Sequence, residues 1–171
     1  MKILIVGLPG SGKTTQIDKI AQEYGLIPVR MGNILRDLAS KGGKMGERVK
    51  SIMASGELVD DETVAELIKV EAAKIGDNFI MEGYPRTMEQ VKLFDPGFDK
   101  VFYLGVPIEV VKDRMKGRGR SDDSGAAIEK RVQVQMEDME DILSFYKNVL
   151  VKIDGTGTIE EVFKSIEDNL Q

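Results

Sequence analysis

The chain has 171 residues, of which 42% are hydrophobic and 31% charged, enough for one domain with a real core and a soluble surface. It contains neither cysteine nor histidine, which excludes disulfides, Cys/His zinc sites and Ser-His or Cys-His nucleophilic pairs. Catalysis is left to carboxylates, lysine, arginine, hydroxyls and backbone, a set sufficient for phosphoryl transfer. The net charge of −5, from 24 basic and 29 acidic residues, argues against general nucleic-acid binding and fits a cytoplasmic enzyme. No apolar run reaches the roughly eighteen residues of a membrane span. Pro9 to Gly12 interrupts the apolar start too early for a signal peptide.

Lys2–Val6 is a short apolar run bounded by glycine and reads as a buried strand. After a glycine-rich turn, Ile17, Ile20, Ala21 and Tyr24 fall at helical spacing, with Gly25 as the expected C-cap. Leu26–Val29 is a candidate second strand, Asn78–Glu82 a third, Lys100–Leu104 a fourth and Val149–Ile153 a fifth. Helical patterns separate them, so the expected class is α/β, a five-stranded parallel sheet flanked by helices. Residues 31–59 carry helical pattern without a strand and read as a small insertion. Residues 124–147 read as one long helix. Gly42-Gly43 and the Gly117–Gly119 stretch are candidate hinges.

Gly7-Leu-Pro-Gly-Ser-Gly-Lys-Thr14 fits the phosphate-binding pattern G-x-x-x-x-G-K-[ST], and it lies between the first strand and the first helix. Glycines let backbone N–H groups turn towards phosphate oxygens, and the helix N-terminus adds its unpaired donors. Gly10, Ser11 and Gly12 would form the cradle. Lys13 can reach β- and γ-phosphates, Thr14 offers a hydroxyl towards Mg²⁺, and Thr15 is a neighbouring donor. A plain glycine turn capped by Ser11 would not bring strand, loop, Lys-Thr and helix together. The N-K-x-D segment of a GTPase is missing from the sequence.

Phe79–Thr87 is the next informative segment. An apolar strand ends in Glu82, where a parallel sheet presents its carboxyl ends to ligand, and Glu82 could hold Mg²⁺ through water. Gly83 permits close backbone approach, Pro85 stiffens the turn, and Arg86 is aimed at an anion. Taken without the phosphate loop, the segment would read as a turn with a surface arginine. Arg114, Arg118 and Arg120 form the densest arginine cluster. Alone, they would read as a solvated charge run.

Over essentially its whole length the sequence resembles the adenylate kinase family. Glu82-Gly-Tyr-Pro-Arg86 is similar to the family's Asp-Gly-Phe-Pro-Arg, and Met31-Gly-Asn-Ile-Leu-Arg36 to its Thr-Gly-Asp-hydrophobic-Leu-Arg. Gly56-Glu-Leu-Val59 resembles the family's Gly-x-Leu-Val, Gln90 its adenine-reading glutamine, and Asp113–Arg118 its lid entrance. Arg120, Asp122, Asp123 and Arg131 resemble its later arginines and aspartates, and Asp154–Thr158 its loop along the ATP adenine.

The resemblance implies Mg²⁺-dependent phosphoryl transfer from ATP to AMP by a monomer, without zinc, nucleic acid or membrane. Lys13, Arg86, Arg118, Arg120 and Arg131 would be catalytic. ATP would meet Gly10, Ser11, Gly12, Lys13, Thr14, Thr15, Arg114, Arg118 and Gly157. AMP would meet Met31, Arg36, Glu57, Leu58, Val59, Gly83, Tyr84, Pro85, Arg86, Gln90, Arg120 and Arg131, with Thr14 and Glu82 at the metal. The implied domain is a core of 1–30, 60–116 and 124–171, an AMP-binding insertion at 31–59 and a vestigial lid at 117–123. The sequence departs from the family at Thr14 (usually glycine), Met31 (threonine), Asn33 and Glu82 (aspartates), and in the lid, where only Gly119 separates Arg118 from Arg120. Two alternatives stand beside this: the same chemistry on CMP or UMP, and a nucleotide-binding regulatory module with little turnover. Gln90 favours AMP, since the pyrimidine-specific branch commonly carries asparagine there.

Overall fold

Alternation along the first strand organises the molecule. In β1 (Lys2–Val6), Leu4 and Val6 join one hydrophobic cluster, while Ile3 and Ile5 join another on the opposite face of the sheet. A strand apolar on both faces must be covered on both, and this produces the continuous apolar run seen in the sequence. The computed structural model describes residues 1–117 and 125–170. The sheet adds β2 (Ile27–Arg30), β3 (Phe79–Glu82), β4 (Lys100–Gly105) and β5 (Leu150–Asp154), in the order β2-β3-β1-β4-β5, all parallel. The expected class and all five expected strands are therefore present, with ends shifted by a residue or so.

Helices α1 (Lys13–Tyr24) and α9 (Ile159–Glu167) cover one face, burying Ile17, Ile20, Val162 and Ile166 against Ile3, Ile80, Phe102 and Leu104. The other face is covered by α4 (Asp61–Ile75), α6 (Ile108–Lys116), α7 (Gly125–Glu137) and α8 (Met139–Phe145), with the short α5 (Met88–Leu93) beside them. α1 ends at Gly25, whose φ of 63° takes the left-handed conformation and whose N–H bonds to Ala21 O, as the sequence predicts. Residues 31–59 hold α2 (Met31–Ser40) and α3 (Gly43–Ser55), joined across Gly42 and Gly43 at φ 70° and 72°. Among the described residues no helix is long and apolar enough to cross a membrane.

The expectation of one helix over 124–147 needs correction. The chain breaks at Asp138 (φ −102°, ψ 3°), giving α7 and α8. At this break Asp138 Oδ2 accepts from Met88 N–H at 2.8 Å, one of the orphan donors at the start of α5, so the joint between α7 and α8 is tied to α5. The expected lid, 117–123, lies outside the described residues except for Gly117, which closes α6.

Candidate functional site

Sheet order reverses at β1, with β3 on one side and β4 on the other, so the loops leaving β1 and β3 diverge and open a crevice at their carboxyl ends. A cleft of about 580 Å³ occupies that position. Its walls come from the glycine-rich loop, the start of α1, α2, the 57–59 segment, the end of β3, α5, α6 and α7.

The glycine-rich loop is shaped by close approach. Gly10 has φ 83°, and a Cβ there would stand 2.9 Å from both Val111 O and Met115 Cγ of α6, so a larger residue would push the loop off its support. α1 then starts at Gly12 with no side-chain cap, which leaves its first N–H groups directed at the cleft. Lys13 Nζ donates to Gly7 O at 2.7 Å and Leu8 O at 2.8 Å, folding over the loop. Gln135 Nε2 also donates to Gly7 O, at 3.0 Å, tying α7 to the cradle. Ser11 is buried rather than lining the cleft, and its backbone N–H closes the turn onto Leu8 O.

Thr14 Oγ1 donates to Glu82 Oε1 at 2.9 Å, joining the helix start to the end of β3. These are two hard oxygen donors beside a phosphate cradle. Mg²⁺ retains several waters and takes few protein ligands when phosphates supply the rest, so the pair fits it. Arg30, at the end of β2, sits 3.6 Å from Glu82 Oε1 through its Nε and pairs with Asp18 of α1 through its terminal nitrogen. Sequence reasoning passed over Arg30 and Asp18; the available signal was position, since Arg30 ends a strand at the ligand-facing edge.

Across the cleft stand three arginines. Arg36 of α2 donates to Asn33 Oδ1 at 2.6 Å and lies flat against Gly32, where a Cβ would be 3.3 Å from its guanidinium. Arg86 donates from Nε to Gly83 O at 3.1 Å, and Arg131 of α7 reaches Met53 O at 3.4 Å. Burial pulls the Arg86 pKa down to about 10; the charges of Arg131 and Arg36 push the same way, and Glu82 opposes them. Arg86 stays charged at neutral pH, within a local field that favours an anion.

Gln90 is 1% exposed, yet it contributes to the cleft wall. Its Oε1 accepts from Arg86 N–H at 2.8 Å and its Nε2 donates to Asp61 Oδ1 at 2.9 Å. Asp61, the first residue of α4, was not singled out by the sequence because an acid in a helix's first turn is ordinary.

Of the residues expected at the site, Gly10, Gly12, Lys13, Thr14, Thr15, Met31, Arg36, Glu57, Leu58, Val59, Glu82, Gly83, Arg86, Gln90, Arg114 and Arg131 share this one cleft. Ser11, Tyr84, Pro85 and Gly157 do not line it. Tyr84 turns into the core, its hydroxyl 2.8 Å from Gln90 O, and so supports α5 from beneath. Gly157 sits against Glu161, 3.1 Å from Glu161 Oε2 for a Cβ, in the turn before α9. Arg118 and Arg120 lie outside the described residues.

Comparison with known proteins agrees with this geometry. The family described as "Adenylate kinase" matches residues 5–151. A protein named adenylate kinase from Thermus thermophilus is 36% identical over 177 residues, covering 96% of this chain and 94% of its own. One of the same name from Mycobacterium tuberculosis is 33% identical over 172 residues, covering 95% of each chain. Another from Mycobacteroides abscessus is 31% identical over 172 residues, again covering 95% of each. With a phosphate cradle on one wall, converging arginines on the other and a family match running through both, the chain belongs to the adenylate kinase family of nucleoside monophosphate kinases.

Proposed function

We propose that the protein transfers the γ-phosphoryl group of ATP reversibly to AMP, giving two ADP. The observation that carries this reading is the facing of two charge systems in one cleft: Lys13 and the uncapped start of α1 on one wall, Arg36, Arg86 and Arg131 on the other, with Gln90 beside them. A cleft built for a single triphosphate would not need the second wall.

In this reading ATP places its phosphates on the backbone donors of the glycine-rich loop. Lys13 leaves Gly7 O and Leu8 O for the β- and γ-oxygens. Arg36 and Arg86 hold the AMP phosphate so that one of its oxygens faces the γ-phosphorus in line with the departing ADP oxygen. A new P–O bond forms to AMP as the β–γ bridge bond breaks, and the negative charge shifts onto ADP, where Lys13 meets it. Arg131, with Arg118 and Arg120 from the short 117–123 segment, would neutralise the transferring group. Mg²⁺, held through Thr14 and Glu82, supplies charge neutralisation on the phosphate oxygens when bound. The helical insertion at 31–59 would act as the AMP-binding element, and the loop carrying Gly157 would lie along the ATP adenine. A monomer working in the cytoplasm, with no nucleic-acid or membrane partner, completes the reading, and the net charge of −5 supports it.

The test is a coupled assay that offers AMP, CMP, UMP and GMP in turn with MgATP. AMP is expected to have the highest kcat/KM. A kcat/KM for CMP equal to that for AMP would overturn the choice of acceptor, and no turnover with any of the four would leave a nucleotide-binding module.

A further inference from the structure

A glutamine that reads a base can read it in two ways. Its amide oxygen and nitrogen are nearly the same size, and a half-turn of the amide exchanges acceptor for donor. A free glutamine would serve an adenine edge (amino donor beside a ring acceptor) and a hypoxanthine edge (keto acceptor beside a ring N–H donor) about equally. Something must decide which way the Gln90 amide faces.

We infer that Asp61 is the positioning side chain that, together with Arg86 N–H, makes this decision, fixing the Gln90 amide so that the base site selects a 6-amino over a 6-keto purine. The inference rests on the proposed use of Gln90 at the AMP base. The Asp61 carboxylate can only accept in its ionised form, so it takes the amide nitrogen, Nε2, at 2.9 Å. Arg86 N–H can only donate, so it takes Oε1, at 2.8 Å. In the reversed orientation Oε1 would face a carboxylate and Nε2 would face an N–H, leaving buried groups opposed rather than paired. One amide proton and one oxygen lone pair remain for a base, in a fixed order.

Asp61 is itself held. The same Oδ1 accepts from Thr87 Oγ1 at 2.9 Å, and that hydroxyl accepts from Gln90 N–H at 3.1 Å. Asp61, Thr87 and Gln90 thus form a closed ring that links the start of α4 to the start of α5. With Gln90 1% exposed, water cannot readily substitute for a lost partner.

The experiment compares AMP with IMP, which has nearly the same shape and the reversed pattern of donors and acceptors, in wild type and Asp61→Asn. The asparagine amide can present either oxygen or nitrogen to Gln90, so of the two groups that order the amide only Arg86 N–H still admits one orientation. The expected result is a fall of about tenfold or more in the AMP:IMP ratio of kcat/KM, about one mispaired buried hydrogen bond. KM for ATP should not move. In a Gln90→Leu background the same substitution should change the ratio no further. A loss of thermal stability with an unchanged AMP:IMP ratio would mean that Asp61 is only structural and would overturn the inference. Wild type that prefers CMP, or treats AMP and IMP alike, would instead sink the reading of Gln90 as an AMP selector. Hydrogen exchange of the Gln90 side-chain amide in wild type, followed by NMR, needs no variant. Protection of an Nε2 proton is expected, and free exchange of both would overturn the inference even if Asp61→Asn fails to fold.

Discussion

The two walls of the cleft are built by opposite means. The wall proposed for ATP comes from one short stretch, residues 9–15 apart from the buried Ser11, whose donors are mostly backbone and whose lysine already has partners within the loop. The wall proposed for AMP is assembled from α2, the end of β3, α5 and α7, and its donors are guanidiniums; burial first, then the charges of Arg131 and Arg36, lowers the Arg86 pKa. The first wall keeps its lysine paired and its helix-start N–H groups open; the second carries a local excess of positive charge. Backbone donors cost little to hold in place because the fold fixes them. Converged side-chain cations cost stability, and a bound phosphate repays it.

Breaking the first wall should have the largest effect. Lys13→Ala removes two hydrogen bonds within the glycine-rich loop and no part of the hydrophobic core, so the fold should survive. Turnover should fall by roughly 3 kcal/mol of transition-state stabilisation, or more, because the lysine's charge counts most as negative charge moves between the β- and γ-oxygens. A folded variant with near wild-type kcat would refute that role.

The second wall should respond differently to charge and to geometry. Arg86→Lys keeps the charge but loses the planar fork, and kcat/KM for AMP should fall about 10- to 100-fold, as for other losses of a bidentate anion contact. Arg86→Met should be as inactive but more resistant to heat. A cation whose folded pKa lies near 10, below its ordinary value, is penalised at every pH below about 10, and the penalty fades only as pH rises from there through that ordinary value. Removing the group at pH 7 should recover on the order of 1 kcal/mol, less than the full shift because water enters the ligand-free cleft. Lower stability for Arg86→Met than for wild type, measured by thermal unfolding at pH 7, would show that packing outweighs repulsion here.

A subtler change tests whether the second wall also chooses the base. Gln90→Asn shortens the amide by one methylene, so it can no longer meet both Arg86 N–H and Asp61. The preference for AMP over CMP should shrink by about tenfold while KM for ATP holds, one buried hydrogen bond being about that size. An unchanged preference would remove Gln90 from base recognition.

The difference between the walls also explains what could be read from the sequence. Residues 7–15 announce themselves because chemistry and geometry occupy consecutive positions between a strand and a helix. The apolar runs gave the five strands for the same reason. The wall proposed for AMP spreads from Met31 to Arg131, so no local pattern joins its parts, and only family resemblance placed Arg36, Gln90 and Arg131 together. What stayed hidden was contact between unlike segments. Asp138 accepts from Met88 N–H at the α7/α8 break, Arg30 turns back to Asp18 and Glu82, and Asp61 reaches Gln90. Tyr84 shows the converse, since a residue within a binding motif points its ring into the core and leaves the cleft to its neighbours.

The smallest expected effect lies at the joint where the second wall meets the core. Asp60 caps α4 by accepting from Thr63 N–H at 3.0 Å, and Arg48 of α3 approaches its other oxygen at 3.3 Å. The Thr63 hydrogen bonds hold its carboxyl below the ordinary 3.8, with Arg48 adding to the effect against some desolvation. A carboxylate depressed in the folded state stabilises the fold above its unfolded pKa, and that contribution is lost as pH falls through the folded value. Asp60→Ala should therefore cost about 1 kcal/mol at pH 7, the usual worth of a helix cap, and less and less below pH 3.8. Arg48→Ala should cost less than about 0.5 kcal/mol, because the pair is largely exposed. Neither residue touches the cleft, so KM for AMP should stay within about twofold, inside the range of substitutions away from a site. Denaturant unfolding at pH 7 and pH 3, with AMP kinetics alongside, checks both halves. If Asp60→Ala raises KM for AMP while leaving stability unchanged, the cap is part of the binding wall rather than of the joint that carries it.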